Sequence, residues 1–133
     1  PPRRLTLDER NDSPGAWTPD SKAVLFMSDR SGNFDIYKQA LDQDSAEPVV
    51  ATPQMELAPR LSADGALIIY ASFAKPKDLF TSAPSQLRRV AVSGGPSQLV
   101  LTARGLTDHR CARALWESAL RIESSSSLRH SIP

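Results

Sequence analysis

Short apolar runs alternate along most of this chain with clusters of Pro, Gly, Asp, Asn and Ser. That is the pattern of short antiparallel strands joined by tight turns. Asn11 to Gly15 reads as a polar, proline-interrupted approach to a strand end at Trp17. Pro19-Asp20-Ser21-Lys22 is a hairpin turn, because proline presets the first corner and the Asp carboxylate can accept from amides two residues on. Ala23–Met27 is the next strand, dense in residues that favour a pleated, half-buried surface. Ser28 to Asn33 turns the chain again, with Gly32 free to take positive φ. Phe34–Leu41 interleaves apolar and polar positions as a half-buried strand does. Asp42 to Ser45 is a further turn, and Pro48-Val49-Val50 an edge strand, where proline is tolerated.

The plan then repeats. Positions 17, 20, 24, 26 and 28 each find their counterpart 44 residues later, at 61, 64, 68, 70 and 72. Pro59-Arg60-Leu61 approaches the turn Ser62-Ala63-Asp64-Gly65, where glycine replaces Ser21 at the corner expected to need positive φ. Leu67–Ala71, Leu87–Val92 and Gln98–Leu101 are the strands that follow. Ile36 to Leu41 corresponds to Leu87 to Val92 at an offset of 51, so the loop 73–86 carries an insertion at the rim. A fixed period of roughly 40–45 residues built from four short strands is the signature of a propeller blade. The expected fold is all-β: an incomplete β-propeller of two four-stranded antiparallel blades, over 5–50 and 51–107. Residues 108–133 fall outside the repeat. Leu115, Ala119 and Ile122 lie at helical spacing and Ser124–Ser127 is low-complexity, which predicts a short weak helix with a disordered tail. The abrupt change of composition near Thr107 also suggests a frameshift or a gene-model error there.

Composition narrows the function classes. With 133 residues, 40% hydrophobic and 23% charged, the chain fits one ordinary globular domain. A net charge of +1 with scattered basic residues supplies no field for nucleic acid, and Arg88-Arg89 reads as solvated strand surface. No apolar run approaches the ~18 residues of a membrane span. Cys111 is the single cysteine, so neither an internal disulfide nor a thiolate cluster can form. No cofactor is implied.

The stretch Asn11 to Lys22, continued by Phe26-Met27-Ser28-Asp29-Arg30-Ser31-Gly32-Asn33-Phe34-Asp35-Ile36-Tyr37, resembles the WD-like β-propeller repeat of TolB-type proteins. Their blades run Trp-Ser-Pro-Asp-Gly-Lys, an apolar strand, Ser-Asp-Arg-x-Gly and Asp-Ile-Tyr. The second unit keeps Asp64-Gly65 and Val90-Ala91-Val92-Ser93-Gly94-Gly95, but has Leu61 for the tryptophan and Ser72-Phe73-Ala74 for Ser-Asp-Arg. The resemblance covers about Leu5 to Thr102. It implies an extracytoplasmic bacterial setting and protein partners in the cell envelope. Similar repeats also accompany prolyl-oligopeptidase-like hydrolases and bacterial receptor serine/threonine kinases, so the alternative reading is the propeller part of such a larger protein.

The candidate site residues are read as structural. Asp20 and Asp64 recur in equivalent turns, which favours acceptance from backbone amides over catalysis. Asp29, Gly32, Asp35 and Gly65 belong to the same blade-turn pattern; Asp29, Arg30 and Asp35 fall short of the 6–8 oxygens calcium takes. His109 and His130 lack a glycine-bracketed serine to activate, and Cys111 beside Arg110 and Arg113 reads as inert. The chain is expected to be a non-catalytic scaffold for a protein or peptide partner, with the loop 73–86 as candidate surface. Two blades should leave Phe26, Ile36, Ile68 and Val90 on uncovered lateral faces. The remaining blades of a parent chain, or self-association, would have to cover them.

Overall fold

A computed structural model of the chain describes residues 11–74 and 84–104, together with residues 113, 116, 117 and 121. Eight strands form two four-stranded antiparallel sheets. The first holds β1 (Asp12–Trp17), β2 (Ala23–Ser28), β3 (Asp35–Ala40) and β4 (Glu47–Val50) in that order. The second holds β5 (Met55–Leu61), β6 (Leu67–Phe73), β7 (Ser85–Ala91) and β8 (Gln98–Ala103), again in sequence order. This is the all-β, two-blade architecture that the repeat predicts.

Strand register follows the sequence offsets. Phe26 pairs with Tyr37 and Leu25 with Lys38 in the first sheet; Tyr70 pairs with Arg88 and Ile69 with Arg89 in the second. Moving 44 residues along β2 and 51 along β3 therefore lands on paired positions. Because side chains alternate across a strand, a one-residue slip would turn every buried residue outward. Both sheets thus hold their apolar sets on matching faces.

The innermost strands are longer than the sequence pattern suggests. Asn11 to Gly15 is no mere approach: β1 runs through Pro14, and β5 begins at Met55 and runs through Pro59. Each strand absorbs its proline at a bulge, between Pro14 and Ala16 in β1 and between Leu57 and Arg60 in β5. Both strands are sheet edges, where a missing amide breaks no ladder. The two bulges meet: a Cβ on Gly15 would lie 2.7 Å from Pro59 Cγ and 3.0 Å from the Leu25 carbonyl oxygen. Glycine at position 15 is what lets the blades approach so closely.

The blades pack face to face. Leu25, Ile36 and Val50 of the first share one apolar core with Ile68, Tyr70 and Val90 of the second. Ile36, Ile68 and Val90, which the sequence places on uncovered faces, are 0–2% exposed. Phe26 is buried too, stacked on Tyr37 with ring centroids 5.9 Å apart. The Arg30 guanidinium lies 5.1 Å from the Phe26 ring centre and 4.6 Å from that of Tyr37. The expected exposure of these four residues is therefore corrected: one blade supplies the other's cover, and a cation closes over the aromatic pair.

The far face of the second blade forms another cluster, of Met55, Ile69, Ala71, Phe73 and Leu87. Trp116 of the C-terminal segment is packed into it at 4% exposure, with the Arg60 guanidinium 5.3 Å from its ring. The segment beyond the repeat thus contributes to the core through Trp116. Leu115, Ala119, Ile122 and the serine run lie outside the described residues, as does most of the loop 73–86.

Candidate functional site

The two repeated turns are built alike, atom for atom. In the first, the Thr18 hydroxyl donates to Asp20 Oδ1 at 2.7 Å, and the Lys22 amide donates to the same oxygen at 3.0 Å. In the second, Ser62 Oγ donates to Asp64 Oδ1 at 2.6 Å and the Ala66 amide at 3.0 Å. The Ala23 and Leu67 amides donate in turn to the Thr18 and Ser62 hydroxyls. Each carboxylate is therefore occupied by its own turn's donors. The corner residues Ser21 and Gly65 take φ of 58° and 72°. Gly65 could not be otherwise, since a Cβ there would fall 2.1 Å from Pro19 Cγ.

These bonds hold the Asp20 carboxyl below its ordinary range, the Thr18 hydroxyl first and the Lys22 amide second. A depressed carboxylate contributes stability above its unfolded value of about 3.8 and loses it as pH falls through the lower folded value. Asp64→Ala is expected to cost about 0.5–2 kcal/mol, the size of a lost cap, and Asp20→Ala to lower stability as well. Thermal melts check both; a melt unchanged in either variant would contradict it.

The stacked turns open one side of a cleft of about 780 Å³ that spans both blades. Lys22 and Lys38 supply its cations, Asp20 and Asp42 its anions, and Ala40, Leu41 and Val92 apolar wall. Lys38 Nζ reaches across to the Val92 carbonyl at 3.4 Å, joining the blades there.

The opposite end of the blade carries the Ser-Asp-Arg turn. Asp29 accepts from the Asn11 amide at 3.0 Å and from Asn11 Nδ2 at 2.8 Å, and its carbonyl accepts from the Gly32 amide at 2.9 Å. Gly32 takes φ of 109°. Arg30 pairs with Asp12 at 3.4 Å and donates to Ser28 Oγ. Asp35 stands outside that turn, as the first residue of β3, and is 1% exposed. It accepts from Ser31 and neighbours Glu56, equally buried in the second blade, whose amide donates to the Phe34 carbonyl. Thr52 donates to Glu56 Oε1. Burial first, and then the nearby Asp35 carboxyl, push the Glu56 carboxyl up to about 8.

Glu56 escaped the sequence reading, yet a signal was present. It stands 44 residues after Asp12, so both blades place an acid at the same point of the inner strand. The partners differ: Asp12 meets Arg30, whereas Glu56 meets Asp35. In the second blade Gln86 replaces Asp35 and Arg88 replaces Tyr37. Arg88 binds Gln86 Oε1 at 2.9 Å and Ser97 Oγ at 2.8 Å, so the strand itself supplies the cation that a turn supplies in the first blade. Among the described residues no three His, Cys, Asp or Glu side chains gather as a metal site. His109, His130 and Cys111 lie outside those residues.

No family model and no curated protein matches this sequence. Solved structures do match it. One assigned as a TolB from Agrobacterium tumefaciens superimposes with a TM-score of 0.65 at 22% identity, over 77% of this chain and 38% of that one. TolB from Acinetobacter baumannii gives a TM-score of 0.59 at 23% identity, over 74% of this chain and 23% of that one. The fold is that of a TolB-type β-propeller. The chain spans well under half the length of either TolB chain. Within TolB-type blades, then, the repeated Asp turns lie at one end and the buried Asp35–Glu56 pair lies toward the other, at the junction between blades.

Proposed function

We propose that this chain is a non-catalytic, TolB-like propeller unit that binds a protein or peptide partner, in an extracytoplasmic bacterial setting. The observation that carries the reading is the cleft at the repeated turns: about 780 Å³, open, shared by both blades and walled by rigid turn backbone. Function on repeat scaffolds sits on loops held by strands, as these turns are. The recurring carboxylates, Asp20 and Asp64, are committed to turn donors, which favours a structural role for them over a chemical one. The cleft's chemistry suits an extended peptide with an acidic side chain, which Lys22 and Lys38 would face. The setting and the protein partner rest on the likeness to TolB. The surface first expected on the loop 73–86 lies mostly outside the described residues, so the cleft is the better-supported candidate.

Panning a displayed random-peptide library on the intact chain tests this. Enriched peptides should carry Asp or Glu, and Lys22→Glu with Lys38→Glu should abolish their binding, with Lys22→Glu alone weakening it at an unchanged melt. Enrichment without acidic residues, or binding indifferent to both reversals, would contradict it.

A further inference from the structure

Asp35 and Glu56 come from different blades, and each is 1% exposed. One oxygen of each has a hydroxyl donor, Ser31 for Asp35 and Thr52 for Glu56. The remaining two, Asp35 Oδ1 and Glu56 Oε2, are buried with no donor among neighbouring side chains or backbone amides. Two such orphans side by side would each carry a full desolvation penalty. Yet the two residues are neighbours, the Glu56 amide donating at 2.8 Å to the carbonyl of Phe34, next to Asp35. Two carboxyl oxygens can bond only if one of them holds a proton, and a proton between them satisfies both orphans at once.

We propose that Asp35 and Glu56 share a single proton across the blade junction, and that losing it weakens the junction. Among the described residues, the neighbouring charges are engaged with other partners. On β1, Asp12 is engaged by Arg30, which also donates to Ser28 and covers Phe26 and Tyr37. β2 carries no titratable residue. On β3, Tyr37 lies under Arg30 and Lys38 reaches Val92 at the other end of the blade. On β5, Arg60 covers Trp116; on β6, the Tyr70 hydroxyl bonds Ser97. On β7, Arg88 is held by Gln86 and Ser97, and Arg89 by Gln98. Among the described residues, the connections place the neutral groups Ser31, Asn33, Thr52 and Gln54 beside the pair. Asn33 Nδ2 donates to the Thr52 and Gln54 carbonyls and the Glu56 amide to the Phe34 carbonyl at 2.8 Å, so the pair sits within the stitching that joins the blades.

The sign of the pH effect follows from a carboxyl whose folded value is raised. Its contribution is complete below about 4.5, declines as pH rises, and is gone once Glu56 ionises near 8. The folding constant should fall by at most about tenfold per pH unit across that window. Carboxyl-carbon NMR of the intact chain reads the proton directly, and melts of wild type and Glu56→Gln from pH 5 to 9 read its consequence. Glu56 should titrate near pH 8, and Glu56→Gln, which keeps a donor toward Asp35, should remove most of the pH dependence. A Glu56 carboxyl titrating below pH 6, or a variant melting with the wild-type pH profile, would overturn the proposal. So would a wild-type melt at pH 9 raised by calcium and unchanged by calcium in Glu56→Gln, since a cation would then be the shared ligand. Should the variant fail to fold, the wild-type titration alone decides.

Discussion

Trp116→Ala is expected to destabilise the chain by about 3–5 kcal/mol, the usual cost of removing a large buried aromatic, and to make it self-associate. The indole fills the apolar face of the second blade formed by Met55, Ile69, Ala71, Phe73 and Leu87. In the first blade the equivalent face, with Leu25 and Ile36, is covered by a neighbouring sheet. Trp116 therefore stands where a further blade would pack, and without it a contiguous apolar patch meets water. Urea melts give the stability and sedimentation velocity the association state. Trp17→Ala is the matched control, because that indole is 56% exposed. Equal, small effects from the two variants would show that the C-terminal segment does not cap the sheet.

Leu25→Ala should cost about 2–5 kcal/mol through the other core. Leu25 is fully buried between the blades, among Ile36, Ile68, Tyr70 and Val90. Truncation leaves a cavity that neither sheet can close alone, because both are held in register by their ladders. Leu99→Ala, at a residue 51% exposed, should change stability little. Chemical denaturation of the pair separates the cases. A Leu25→Ala chain as stable as Leu99→Ala would mean that the blades do not share a core.

The fold was legible because two local signals coincide. Turn residues recur at a fixed offset, and the apolar positions between them keep period two, so Asp20 and Asp64 could be matched before any contact was known. What escaped depends on contacts between elements. Glu56 sits between Met55 and Leu57 like any solvated strand acid; its burial comes from β5 running beside the start of β3. Its equivalence to Asp12 was the one available hint. Trp116 was passed over because helical spacing drew attention to Leu115, Ala119 and Ile122, and a lone tryptophan carries no period. The uncovered faces were misjudged for a related reason: pattern says which residues are apolar, while only the approach of the bulges at Gly15 and Pro59 says that the two blades cover each other.

The claim on which the rest depends is that two TolB-type blades pack through one shared core. Methyl nuclear Overhauser contacts in the intact chain test it most directly. The account predicts cross-peaks from the Leu25 and Ile36 methyls of the first blade to the Ile68 and Val90 methyls of the second. Cross-peaks confined within each blade, with none between those two sets, would contradict it.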